Sequence, residues 1–118
     1  TLFRSANAIF LAYVIQFNKK ACADRYATIA RTLGLAGNSE EELVDSLISM
    51  IQDMNKSMDI PLTLKEYGVT EEDFKANLDY IAHNAVLDAC TGSNPRPITD
   101  EEMKKLFECT YYGEKVEF

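Results

Sequence analysis

Apolar side chains recur at helical spacing along most of the chain, and helix-start signals punctuate them. Between Ala8 and Phe17, residues Ile9, Phe10, Tyr13, Val14 and Phe17 follow a 3.6-residue period, while Leu11, Ala12 and Ile15 fill most of the gaps. Such a segment predicts a helix that needs cover on more than one side. The stretch DRYATIARTLG places Tyr26, Ile29, Ala30 and Leu33 on one stripe and ends at Gly34, a residue suited to a left-handed C-cap. Ser39-Glu40-Glu41-Glu42 has the form of a capping box, with Ser39 accepting from the backbone of Glu42 and Glu42 reaching back. Leu43, Val44, Leu47, Ile48, Ile51 and Met54 then form an apolar stripe that must end before Ile60-Pro61, because the residue preceding a proline is pushed out of the α region. Thr70-Glu71-Glu72-Asp73 repeats the start signal ahead of Phe74, Leu78, Ile81 and Ala85, a helix predicted to reach about Ala89. Thr99-Asp100-Glu101-Glu102 repeats it again ahead of Met103, Leu106, Phe107 and Thr110. No segment alternates with period two, so the expected fold class is all-α, about five helices in a single helical domain over residues 1–118.

Composition narrows the partners. A chain of 118 residues with 47% hydrophobic and 26% charged side chains can bury a core. A net charge of -7 without a Lys/Arg cluster argues against nucleic acid, whose phosphates are held by clustered cations. The longest apolar run, Ala8 to Ile15, is far short of the roughly 20 residues a membrane span requires, so no membrane partner is expected. Residues 1–15 lack a basic region followed by a small-residue cleavage site. The three cysteines, Cys22, Cys90 and Cys109, are odd in number and widely spaced, which points to free thiols and a cytoplasmic location.

Few residues carry chemistry. A metal site needs converging His, Cys, Asp or Glu ligands, and the chain has one histidine and no Cys-x-x-Cys. The carboxylates gather at helix starts, where capping accounts for them. His83 falls on the polar side of its helix, and none of the five glycines belongs to a phosphate-binding loop. Cys22 has no neighbouring base, and Cys109 reads as a packed thiol. Cys90 opens the loop CTGSNPRPITDEE, where a buried helix-end cysteine is the first reading and a functional one the second. In that loop Gly92 is expected to take a positive φ, Asn94-Pro95 to start a turn and Thr99 to cap the next helix. Arg96 is the residue the turn does not require, and anchoring the loop to carbonyls or a carboxylate is its expected use. On these grounds alone the chain is a helical domain with no evident reaction.

Three stretches add a family resemblance. NAIFLAYVIQFN at 7–18, LDACTGSNPRPIT at 87–99 and TYYG at 110–113 resemble the C-terminal part of iron-containing (group III) alcohol dehydrogenases, and are similar in particular to the alcohol dehydrogenase end of bifunctional aldehyde-alcohol dehydrogenases. MNKSMDIPLTLKEYGVTEEDF at 54–74 and the spacing between motifs extend the likeness from Ala6 onward. The resemblance implies part of the helical domain of a dehydroquinate-synthase-like fold. In the intact enzyme, iron (or zinc) polarises the alcohol or carbonyl oxygen and NAD(P) exchanges hydride.

The departures limit what can be carried over. The family's metal is held by an aspartate and three histidines that precede or coincide with the start of this sequence. Phe3 and Arg4 stand where the last His-Gly pair is expected, and Ala12 where the family usually has proline. No catalytic, metal or cofactor-binding residue is therefore expected in this chain, nor any cofactor bound by it alone. The resemblance implies a substrate-cleft lining role for Cys90. The expected function is that of an inactive fragment of an iron-dependent alcohol dehydrogenase lacking the NAD(P)-binding domain, with a free-standing helical oligomerisation or interaction module as the alternative. The apolar helix over 8–17 is expected to be exposed and to drive self-association. A separate N-terminal half is a further expected partner.

Overall fold

The computed structural model describes residues 2–118, with side chains from residue 4 onward. Phe3 as a side chain therefore lies outside the described residues. The chain forms helices α1 (Leu2–Thr32), α2 (Glu40–Ser57), α3 (Leu64–Tyr67), α4 (Glu71–Leu87) and α5 (Asp100–Tyr112), with a 3-10 turn at Thr91–Ser93 between the last two. Among the described residues there is no strand.

The predicted division of the chain is retained, with one short helix, α3, added to it. The segments predicted as separate helices over 8–17 and 24–33 are the two arms of α1, two helices that meet at Cys22, whose backbone is non-helical at φ -144° and ψ 37°. No Gly or Pro lies between Phe17 and Asp24, so the two arms join without a loop between them. The Cys22 thiol donates to the Asn18 carbonyl four residues back at 3.4 Å, inside the turn where the helix bends. The kink also shifts the buried face of the second half. Ala27 and Ala30 pack against Leu43 and Leu47, small residues that let α2 approach closely. The predicted Ile29 and Leu33 are left exposed.

Helix α3 was not anticipated, although Thr63-Leu64-Lys65-Glu66 carries the same start signal as the other helices. Thr63 accepts from the Glu66 backbone at 3.0 Å, and Gly68 closes the turn at φ 113°. At α2, Ser39 accepts from the Glu42 N–H at 3.2 Å, but the Glu42 carboxylate takes the Asn38 N–H at 2.6 Å, one residue earlier than a strict box. At α5 both arms form, Glu102 N–H to Thr99 Oγ1 at 3.2 Å and Thr99 N–H to Glu102 Oε2 at 3.0 Å.

The all-round apolar segment of α1 sits at the centre of the fold. One face, Ala12 and Ile15, packs on Val44 and Ile48 of α2. Another, Tyr13 and Phe17, packs on Ala82 of α4, on Met103, Leu106 and Cys109 of α5, and on Val116 of the C-terminal segment. This corrects the expectation of an exposed helix over 8–17: Ile9, Ala12, Tyr13, Ile15 and Phe17 are buried and Leu11 is the residue left open, at 47%. Burying apolar area at about 25 cal/mol per Å² drives both neighbours onto the one helix. Polar ties then set the register. Asn55 Nδ2 donates to the Ala8 carbonyl at 3.0 Å, Tyr13 Oη donates to the Leu62 carbonyl at 2.7 Å, and Val116 N–H donates to Gln16 Oε1 at 3.0 Å.

Candidate functional site: an apolar cleft beside the 90–98 loop

An open cavity of about 500 Å³ lies between α1, α4, α5 and the loop after α4. Helix α1 presents Phe10, Val14 and Phe17 to it, and α5 presents Met103, Leu106 and Phe107. These side chains reach one cavity because positions three and four apart share a helix face. Phe10 and Phe107 meet across the floor edge to face, with ring centroids 5.4 Å apart at 85°. Asn7, Cys90, Thr91 and Asn94 supply the polar lining.

The loop is built to hold that lining in place. Helix α4 ends at Leu87 rather than Ala89, and the Asp88 carboxylate accepts the Cys90 N–H at 2.8 Å. Thr91 Oγ1 donates to the Ala85 carbonyl at 2.5 Å. Gly92 does not take the expected positive φ; the left-handed glycines are Gly34, Gly68 and Gly113. The chain instead continues right-handed through a 3-10 turn, so nothing there demands a glycine. Asn94 exchanges amide hydrogen bonds with Asn18 of α1 in both directions, at 2.9 and 2.8 Å, and donates also to the Arg96 carbonyl at 2.6 Å.

Arg96 anchors the loop to carbonyls, as its position in the turn suggested. Its NH1 donates to the carbonyls of Phe17 and Phe118, each at 2.8 Å, and its guanidinium carbon lies 3.9 Å over the Phe17 ring. Neither Asn18 nor the aromatic lining was singled out from the sequence. An asparagine ending an apolar run was the available signal for the first, and Phe10, Phe17 and Phe107 were indistinguishable from ordinary core.

The three cysteines occupy different environments. Cys22 and Cys109 are buried and Cys90 is exposed at the cleft, against the first reading of Cys90 as a buried thiol. Burial, and then the carboxylates of Glu114 and Glu108, push the Cys109 thiol up, which disfavours a thiolate there. His83 is solvent-exposed and paired with Asp100 Oδ2 at 2.8 Å, away from the cleft lining. Arg4 is exposed. Ala12, in the place of a proline, keeps α1 continuous and packs on α2.

Among the described residues no three His, Cys, Asp or Glu side chains converge as metal ligands, so the donor set does not fit an iron ion. No described helix is long and apolar enough to cross a membrane. Fold and site together define a helical element that offers an apolar cleft wall with a few polar residues in its lining, and among the described residues no acid, base or nucleophile pair lines it.

Comparison with known proteins gives the family. The model of the Fe-containing alcohol dehydrogenase family, C-terminal, matches residues 4–111, and the chain belongs to that family. It is 58% identical over 113 residues to the NADPH-dependent butanol dehydrogenase of Clostridium saccharobutylicum, covering 96% of this chain and 29% of that protein. It is 41% identical over 120 residues to the aldehyde-alcohol dehydrogenase of Clostridium acetobutylicum, covering 88% of this chain and 14% of that protein. The crystal structure of a 1,3-propanediol oxidoreductase superposes with a TM-score of 0.80 at 28% identity, covering 91% of this chain and 28% of that one. The chain thus spans less than a third of the length of each of these relatives.

Proposed function

We propose that these 118 residues form the helical-domain wall of the substrate cleft in an NAD(P)-linked, iron-dependent alcohol dehydrogenase that interconverts an alcohol with an aldehyde or ketone. The observation that carries the reading is the cavity of about 500 Å³ with Cys90 on it, formed by the loop and helices inside the family match. Phe10, Val14, Phe17, Ile98 and Phe107 exclude water from an alkyl group. Cys90 lines the cleft beside them and performs no covalent step. When bound in the whole enzyme, iron would supply a Lewis acid for the oxygen, and the nicotinamide would take the hydride in alcohol oxidation and give it in carbonyl reduction. The residues described here contribute shape, dryness and position. Three free thiols suit a reducing, cytoplasmic setting.

The test uses the purified 118-residue chain. It is expected to retain no stoichiometric iron or zinc and to show no NADH- or NADPH-dependent reduction of butanal. Chemical shifts of the Val14 and Leu106 methyls are expected to move on titration with 1-butanol. Stoichiometric metal with turnover, or an alcohol titration that leaves these methyls unmoved, would sink the reading.

A further inference from the structure

We infer that Arg96 is a positioning residue of the cleft, which sets the spacing between the wall made by α1 and the wall made by the 90–98 loop. The inference rests on the cleft reading above. Arg96 does not itself line the cavity. Its side chain is 16% exposed, and its NH1 donor is committed to carbonyls from α1 and from the C-terminal segment, at Phe17 and Phe118. Phe17, whose ring lies under the guanidinium, is among the residues that line the cavity, so Arg96 stands behind the wall. Glu102 is 3.8 Å from NH2 and already holds the Thr99 N–H, so it adds charge balance more than geometry.

A planar guanidinium that bridges two carbonyls and stacks on a ring constrains orientation as well as distance. A lysine at the same place keeps the charge but acts as a point donor and loses the fork and the stacking face. Two residues earlier in the same loop, Asn94 grips Asn18, one residue beyond Phe17. The last turn of α1 before the kink is thus held twice by the loop that carries Cys90. Once that hold is loosened, Cys90, Thr91 and Asn94 move relative to Phe10 and Val14.

Amide hydrogen exchange at Ser93 and Asn94, whose N–H groups bond to the Cys90 and Thr91 carbonyls, reports the loop, and Val44 in the buried α1–α2 contact reports the fold. Arg96→Lys is expected to speed exchange at the two loop amides at least about tenfold while changing Val44 by less than about twofold. Arg96→Ala is expected to do the same more strongly, and the lysine variant decides the matter if the alanine variant fails to fold. Equal acceleration at loop and core, or an unchanged loop, would overturn the inference by showing a role in general stability or none.

A second readout keeps the cleft reading separate. Cys90 is the exposed thiol, so its labelling rates with N-hexylmaleimide and N-methylmaleimide can be compared with those of glutathione. A hexyl-to-methyl ratio above that of glutathione, lowered by Arg96→Lys, supports the positioning role. A wild-type ratio equal to that of glutathione sinks the apolar cleft and leaves the exchange comparison to decide the role of Arg96.

Discussion

Truncating Asn18 tests whether the amide pair couples the loop to α1. Asn18 is 3% exposed and shares two reciprocal hydrogen bonds with Asn94, at 2.9 and 2.8 Å. Each neutral bond is worth about 1 kcal/mol net, and a buried polar group left without its partner costs about 1–3 kcal/mol. In Asn18→Ala the Asn94 amide keeps its bond to the Arg96 carbonyl, but its oxygen loses the Asn18 donor. The expected loss is therefore about 2–4 kcal/mol, a large part of the roughly 5–15 kcal/mol that holds a domain together. Asn94→Ala costs at least as much, because it strands the more buried Asn18 and removes the Arg96 contact as well. The double variant no longer strands either amide, so it is expected to be less destabilised than the sum of the two by about 1–3 kcal/mol. Urea unfolding followed by circular dichroism measures all four corners of the cycle. Costs that add within about 0.5 kcal/mol would refute the coupling and reduce the pair to two independent contacts.

Two further outcomes follow from backbone geometry and from burial. Gly113 ends α5 at φ 77°, and a Cβ added there would stand 2.9 Å from Thr63 Cγ2, so Gly113→Ala is expected to cost about 1–3 kcal/mol and to lower the melting temperature by about 4–12 °C. A melting temperature within about 2 °C of the parent chain would contradict it. The Cys109 thiol is raised from its ordinary value of 9.0 by burial and then by Glu114 and Glu108, so the folded chain holds that proton more tightly than the unfolded one. That stability is present in full below the unfolded thiol value and is lost as pH rises through the folded one, so the urea midpoint is expected to fall above about pH 9. Tyr13, raised by burial and then by Glu66, and Tyr26, raised chiefly by burial, extend the fall above about pH 10. Cys109→Ala should flatten the first part of this limb, and a midpoint that rises with pH would contradict the sign.

Much of the secondary structure was legible because its signals are local. A cap is settled within three residues and a helix face within four, which is why Ser39, Thr70 and Thr99 marked starts that the structure retains. The same locality explains the misreadings. Nothing within a few residues of Cys22 announces that the two arms of α1 join directly, with Cys22 as the non-helical residue between them. Nothing near Ile29 or Leu33 tells that Ala27 and Ala30 are the side chains α2 packs against. Met54 likewise ended an apolar stripe by sequence and stands exposed.

The sequence by itself determined an all-helical chain, its capped helix starts, a loop with one arginine the turn did not need, and a likeness to one enzyme family. Tertiary structure alone decided that the apolar segment over 8–17 is a central helix covered on both sides, and that Cys90 is exposed on a cavity rather than buried. It also decided which aromatic residues line that cavity. The physical reason is separation along the chain: Asn18 meets Asn94 across 76 residues, Arg96 meets Phe17 across 79, and Val116 meets Gln16 across 100. Such contacts depend on how α1 packs between its neighbours, and no local pattern of residues encodes that packing.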